Sequence, residues 1–253
     1  MMKQKVIVFL PAHNEEESIE EVINKVPRTF HPQIRVEILV IDDGSSDKTV
    51  EVAKRAGADY IYSHTTNKGL GASVREGLNQ SYKLGADIAV MIDADNEYPA
   101  WEIPELIQPI LEGSFDYVMG SRFLGTIDGM RIHRRLGNYC FTFLQSILLR
   151  KWIFDGQSGM RAFSSQAIEH AEIIHDYNYA QVLTLNLVRK GFRVKEIPIT
   201  YQVRSKGQSF IKFRAYLTSV LPAIVKEVSR RHKKVEINLK PMKDRSTAGK
   251  KAN

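Results

Sequence analysis

Short, largely apolar runs alternate with helix-period stripes through the first half of the chain. The runs at Lys5–Leu10, Val36–Ile41, Asp59–Ser63, Asp87–Ile92 and Tyr117–Gly120 predict strands. Between them, Glu15–Lys25, Asp47–Ala56, Gly71–Lys83 and Ile103–Glu112 carry apolar residues at helical spacing. Strand–helix alternation predicts βαβ units, right-handed crossovers and a mainly parallel sheet flanked by helices. Ligands of such sheets bind beyond the carboxyl ends of the strands. Three polar clusters, Pro11–Glu15, Asp42–Asp47 and Asp93–Glu97, are expected at that edge, facing one crevice.

The second half reads differently. Leu136–Phe154 is apolar on nearly every side of a helix, which one buried face does not require. Such a helix is either fully buried or meets lipid or an isoprenoid chain on one side. Phe213, Tyr216, Leu217, Val220, Leu221, Ile224, Val225 and Val228 form a helical stripe, expected to kink at Pro222. With Lys212, Arg214, Lys226, Arg230 and Arg231 beside it, an amphipathic helix at about 211–231 suits a membrane interface or the flank of the domain. The expected organisation is one domain over residues 1–231 and a disordered basic tail over 232–253.

Charge sharpens this division. The net charge is +7, and from Lys226 onward ten Lys/Arg stand against three acids, so the body is neutral. That argues against nucleic acid as a partner and gives the tail a match to anionic lipid. Cys140 is the only cysteine, which excludes an intramolecular disulfide framework and a Cys-rich zinc site. The longest uncharged run, Leu136–Leu149, has fourteen residues, too few to span a bilayer. The first residues lack the apolar stretch of a signal peptide, so a cytoplasmic, reducing environment is expected.

The candidate chemistry centres on Asp93, Asp95 and Glu97, set at alternate positions where the strand at 87–92 ends. Carboxylates so close repel one another, and a divalent cation relieves that cost. Mg²⁺ and Mn²⁺ favour oxygen ligands, commonly one or two carboxylates plus substrate phosphates. In Asp42-Asp43-Gly44-Ser45-Ser46-Asp47, helix capping accounts for one or two residues. A further carboxylate there would accept from uracil N3–H or from guanine N1–H and N2–H₂. Asn67-Lys68-Gly69-Leu70-Gly71 is not a dinucleotide fingerprint, because Val74 stands where a third glycine belongs, and no P-loop occurs.

Taken together, Pro11-Ala12-His13-Asn14-Glu15-Glu16, Asp42-Asp43-Gly44-Ser45-Ser46-Asp47, Asn67-Lys68-Gly69-Leu70-Gly71 and Asp93-Ala94-Asp95 resemble the inverting family 2 glycosyltransferases of the GT-A fold. Gly120-Ser121-Arg122-Phe123 and Asp155-Gly156-Gln157-Ser158-Gly159-Met160-Arg161 narrow the resemblance to the polyprenyl-phosphate branch, which includes the dolichyl-phosphate mannose synthases and their glucosyl relatives. The resemblance covers about residues 5–212. It implies a Rossmann-like nucleotide half and an acceptor half. It implies that Pro11, His13, Glu15 and Asp42 line the nucleotide pocket, and that Asp93 and Asp95 hold Mg²⁺ or Mn²⁺ on the donor diphosphate. Glu97 stands where the mannose synthases usually have Gln, also a metal ligand. Arg122 would meet the acceptor phosphate, with Arg134 and Asn138 beside it, and Arg204 and Ser209 match a loop that closes over the site. Phe210 follows that serine where the mannose synthases have Lys.

An alcohol acceptor needs a general base, whereas a phosphate monoester, with a second pKa of about 6, arrives largely as a dianion. It needs cations that hold it, and Arg does so with a planar fork. Arg122, Arg131, Arg134 and Arg135 fall within one short stretch, and His175-Asp176 is the nearest candidate base. The expected activity is transfer of a hexose from a nucleotide-diphosphate sugar, of GDP-mannose or UDP-glucose type, to dolichyl or polyprenyl phosphate with inversion. Asp95, Arg122 and Arg134 are the expected catalytic residues. The enzyme would lie peripherally on the cytoplasmic face of a membrane, alone or through an anchoring partner. Transfer to a sugar hydroxyl of a glycan, or non-catalytic binding of a nucleotide sugar, are the alternatives.

Overall fold

A computed structural model describes residues 3–176, 179–203 and 222–237. Among the described residues seven strands form one sheet: β1 (Gln4–Ala12), β2 (Ile34–Asp42), β3 (Tyr60–Ser63), β4 (Ile88–Met91), β5 (Tyr117–Asp128), β6 (Arg161–Ser164) and β7 (Val194–Gln202). Their order is β3-β2-β1-β4-β6-β5-β7. All neighbours are parallel except β6, which runs against both β4 and β5.

The expected helices appear as α1 (Ile19–Lys25), α2 (Thr49–Arg55), α3 (Leu70–Lys83) and α4 (Ile103–Leu111). They are followed by α5 (Ile132–Leu149), α6 (Ser165–His170) and α7 (Ala180–Arg189). The strands β1, β2, β4 and β6 are buried along most of their length because each face of the sheet meets its own helix layer. Val6, Val8 and Leu10 of β1 pack with α1, α2 and α4, while Ile7 and Phe9 pack with α3, α6 and α7. Gly77 lets α3 lie against the sheet, since a Cβ there would fall on the Phe9 ring.

The register brings the chemistry to one edge. Ala12 pairs with Asp42 and Asp42 with Ser63, so β1, β2 and β3 end level. Met91 sits beside Phe9 and Arg161, placing the Asp93 segment at the same edge. Because β6 is antiparallel, its beginning lies at this edge, and the loop 155–160 arrives there from α5. β5 continues past a bulge between Ser121 and Thr126 to pair with the end of β7. Gly125 is required in that passage, since a Cβ would fall on the Ile199 backbone.

The apolar segment predicted at 136–154 forms α5, which starts four residues earlier and ends at Leu149. Its polarity is inverted. Thr142, Gln145 and Ser146 are buried, whereas Ile132, Leu136, Phe143 and Ile147 face outward, from 56% exposed at Phe143 to 84% at Ile132. Trp152 and Phe154 extend this exposed apolar stripe beyond the helix. Among the described residues no helix is long and apolar enough to cross a membrane.

Of the helix expected at 211–231, residues 222–229 are helical, with Pro222 at the start, and residues 211–221 lie outside the described part. Residues 231–237, most of them read from the sequence as the start of the tail, run in irregular form along the domain. The Val235 amide donates to the Lys190 carbonyl at 2.9 Å, and Val235 and Ile237 pack against the buried cluster beneath α6 and α7.

Candidate active site

The loops that follow β1 and β2 are interlocked. Asn14, held at φ 54°, donates its amide to Ser45 Oγ (2.9 Å) and accepts the Ser46 amide on Oδ1 (2.8 Å). The Glu15 amide donates to Thr49 Oγ1 at 2.8 Å, while the Glu15 carboxylate accepts from the Ser18 hydroxyl at 2.7 Å. His13 Nδ1 donates to the Asp43 carbonyl at 3.0 Å. Pro11, His13, Glu15 and Asp42 therefore do converge at the strand ends.

The two adjacent aspartates divide their work. Asp43 is buried and committed to the fold: it accepts from His64 Nδ1 (2.7 Å) and from the Lys68 (2.9 Å) and Gly69 (2.8 Å) amides. It thereby ties the Asn67-Lys68-Gly69 loop down. The Asp42 side chain, equally buried, accepts only the Ser45 amide among the described residues, through Oδ1 at 3.1 Å. The acids that capping did not explain are thus explained half by loop anchoring.

Asp93, Asp95 and Glu97 follow β4 and share one neighbourhood but not one orientation. Asp93 is pushed well above the usual carboxylate range by withdrawal from water and then by the charges of Asp95 and Glu97, which Arg161 and Arg122 only partly offset. The loop carrying Gly159 lies directly on it, since a Cβ at Gly159 would fall on Asp93 Oδ2. Asp95 Oδ1 accepts the Glu97 amide at 3.1 Å. Glu97 is buried and turned elsewhere: its Oε2 accepts from the Tyr201 hydroxyl at 2.7 Å and lies 3.4 Å from Arg134 Nη2. Among the described residues no group of three His, Cys, Asp or Glu side chains is arranged to hold a metal ion. Asp93 and Asp95 nonetheless fit a cation whose remaining ligands come from a diphosphate and water, the usual arrangement for Mg²⁺.

The four arginines separate. Arg122, 2% exposed, gives its fork to the fully buried Asp155, through Nε at 2.7 Å and Nη2 at 2.8 Å, with its own amide at 3.0 Å. Arg134 projects from α5, half-buried, toward Glu97. Arg131 and Arg135 are exposed. Asn138 lies one turn after Arg134 on the same helix face, and its Nδ2 is buried without a hydrogen-bond partner, as are Ser121 Oγ and Gln157 Nε2. Buried polar atoms of this kind call for a polar ligand or water.

Asp155, Arg161 and Tyr201 support the site from outside the residues expected to act in it. Asp155 and Arg161 lie in the 155–161 motif, and Tyr201 lies in β7. Arg161 is fully buried and binds the Ser158 (2.8 Å) and Gly156 (3.0 Å) carbonyls, the Thr184 hydroxyl (2.9 Å) and Tyr117. It fastens the loop that presses on Asp93. The motif was a signal for the first two, whereas nothing local marks Tyr201. The candidate base Asp176 is paired with Arg75 at 2.7 Å, and its carbonyl accepts the Gly71 amide at the start of α3. Arg204 and Ser209 lie outside the described residues.

Residues 7–171 match the family described as Glycosyl transferase family 2. The chain is 32% identical over 187 residues to a UDP-N-acetylglucosamine–dolichyl-phosphate N-acetylglucosaminyltransferase of Methanococcus voltae, covering 67% of this chain and 73% of that protein. It is 30% identical over 215 residues to a dolichol-phosphate mannosyltransferase of Pyrococcus furiosus, covering 82% and 59%. Glucosyl-3-phosphoglycerate synthase of Mycobacterium tuberculosis, crystallised with Mn²⁺, UDP-glucose and phosphoglyceric acid, superposes with a TM-score of 0.73 at 20% identity, covering 95% of this chain and 90% of that one. That likeness establishes the GT-A fold. With the motifs gathered at one sheet edge and the match spanning most of the sheet, the chain belongs to glycosyl transferase family 2.

Proposed function

We propose that this protein transfers a hexose from a nucleotide-diphosphate sugar to a dolichyl or polyprenyl phosphate, with inversion at the sugar. The observation that carries the reading is Arg134, a half-buried arginine beside Glu97, with the unpartnered Asn138 amide one turn further along the same face of α5. An arginine with a neighbouring amide donor is suited to a phosphate acceptor. A sugar hydroxyl would need a base, and the candidate Asp176 is paired with Arg75 at 2.7 Å.

In this reading Asp42 and His13 receive the base and ribose side, and Asp93 and Asp95 would hold Mg²⁺ or Mn²⁺ against the diphosphate. A bound divalent cation would neutralise charge on the departing nucleoside diphosphate. Arg134 and Asn138 aim a phosphate oxygen at the anomeric carbon from the side opposite the leaving group. The new C1–O bond forms as the C1–O bond to the diphosphate breaks, which inverts the centre. The names of the archaeal relatives support a dolichyl-phosphate acceptor, and the Mn²⁺ and UDP-glucose bound by the structural neighbour support a metal-assisted nucleotide-sugar donor.

The exposed apolar stripe of α5 supports attachment to a membrane surface. Residues 129–154 contain no acid and include Arg131, Arg134, Arg135, Arg150 and Lys151, so the stripe is framed by cations that suit anionic lipid. We place the protein peripherally, on the cytoplasmic face. The test is incubation with a panel of nucleotide sugars and Mn²⁺, offering polyprenyl phosphate or polyprenol, with products read by mass spectrometry. Product from the phosphate alone is expected, and equal use of polyprenol would overturn the reading.

A further inference from the structure

Glu97 Oε2 is shared by two partners of different character. Tyr201 is fixed: it is buried, its ring meets Tyr98 edge-on at 5.6 Å, and its hydroxyl reaches Glu97 at 2.7 Å. Arg134 is not so fixed. Its side chain is 37% exposed and stands 3.4 Å from Glu97, well beyond the 2.7–2.9 Å of a good charge-assisted bond. Two guanidinium groups, Arg122 at 5.3 Å and Arg134 at 5.9 Å, lie over the same Tyr201 ring. Arg134 therefore reaches the carboxylate cluster from the face of α5 that it shares with Asn138.

We propose that the Glu97–Arg134 pair couples acceptor binding to cation binding. The inference rests on Arg134 receiving the acceptor phosphate. A phosphate dianion carries more charge than Glu97 and can take both arms of the fork, so it draws Arg134 away. Glu97 then becomes a buried carboxylate without its cationic partner, next to Asp93 and Asp95, which is costly until a divalent cation arrives. The acceptor thus tightens the site for the cation and its diphosphate, and by linkage the cation tightens the site for the acceptor by the same factor. Before the acceptor arrives, Arg134 offsets part of the negative charge that would otherwise favour the cation.

The test is Mn²⁺ binding in the presence of UDP or of GDP, read from the electron paramagnetic resonance of free Mn²⁺, with and without geranyl phosphate. In the wild type geranyl phosphate should tighten Mn²⁺ at least about fivefold, the lower end of ordinary coupling. In Glu97→Gln, which keeps the shape of the side chain, geranyl phosphate should still bind and the coupling should vanish. Coupling that survived there would reflect direct attraction between cation and phosphate and would overturn the inference. Arg134→Gln, at a half-exposed position, gives the second reading. It should bind Mn²⁺ more tightly than the wild type without geranyl phosphate, and respond to the phosphate little. Mn²⁺ affinity unchanged in Arg134→Gln would also overturn the inference. Geranyl phosphate binding to the wild type without coupling removes this inference alone. No geranyl phosphate binding to the wild type removes the acceptor reading and the inference with it.

Discussion

Arg122 and Asp155 form a closed buried pair: the carboxylate takes two guanidinium nitrogens and the Arg122 amide, all within 3.0 Å. The pair joins β5 to the loop that presses Gly159 on Asp93. Arg122 is expected to orient this junction and to present at most its remaining Nη1 to a phosphate, so its role differs in kind from that of Arg134.

Breaking this pair should cost stability before it costs chemistry. Removing one partner of a buried ion pair leaves the other uncompensated, at about 3–5 kcal/mol. Asp155→Ala and Arg122→Gln should each lower the unfolding free energy by that order, read from the shift of the urea midpoint. A midpoint unchanged in both would show that the pair does not hold the loop.

Arg134→Gln should leave the melting temperature nearly unchanged and weaken use of polyprenyl phosphate by about ten- to a hundredfold, as expected for a lost charge-assisted partner worth about 1.5–3 kcal/mol. Lys should rescue only in part, since it lacks the planar fork. Steady-state kinetics with the acceptor varied read the effect, and an unaltered acceptor dependence would return Arg134 to a surface role.

Asp95→Ala should abolish Mn²⁺-dependent donor binding and transfer while the protein stays folded, because removal of one of several crowded like charges relieves repulsion. Calorimetric titration with Mn²⁺ and UDP or GDP, beside circular dichroism, checks both halves. Wild-type turnover in this variant would remove the carboxylates from the metal assignment.

Asp93 gives the pH dependence a sign. Its carboxyl is raised above the unfolded value of about 3.9 by burial first, then by Asp95 and Glu97. Its contribution to stability is therefore complete below that unfolded value and is lost as pH rises through the folded one. A cation must displace the proton, so Mn²⁺ should bind more weakly in acid and raise the melting temperature more as pH increases. Melting curves between pH 5 and 8, with and without Mn²⁺, test this, and a pH-independent Mn²⁺ effect would contradict the arrangement.

Leu136→Asp combined with Phe143→Asp should reduce co-sedimentation with anionic liposomes by more than about tenfold, since burying each large apolar side chain is worth roughly 1.5–3 kcal/mol. Melting should be unaffected, because both side chains already face outward. Removal of residues 238–253 should weaken binding in a salt-sensitive way, by about 1 kcal/mol per basic residue near the surface. A cut before Val235 is a poorer test, because it removes the Val235 and Ile237 contacts with the domain.

Periodicity and residue type alone determined the βαβ alternation, the mainly parallel sheet and the edge where Pro11–Glu15, Asp42–Asp47 and Asp93–Glu97 meet. These are local properties: a strand buried on both faces must be apolar throughout, and the polar residues at its end are set by the same short stretch. What each acid does there was decided by contacts between distant segments. Asp43 and Asp42 are chemically alike in sequence, and only the return of His64, Lys68 and Gly69 makes Asp43 the loop anchor and leaves Asp42 with the Ser45 amide. Arg122 and Arg134 belong to one basic cluster until β6 runs antiparallel and brings Asp155 to Arg122, while β7 brings Tyr201 to Glu97. The apolar character of residues 136–154 was plain, but which side of α5 is buried was not, because pattern alone assigns the polar residues Thr142, Gln145 and Ser146 to the solvent side. Burial of Thr142, Gln145 and Ser146 against the rest of the domain turned its apolar stripe outward. Pairing over 33 residues, as for Arg122 and Asp155, or over 104, as for Tyr201 and Glu97, leaves no trace in local pattern, since only the sheet topology makes such residues neighbours.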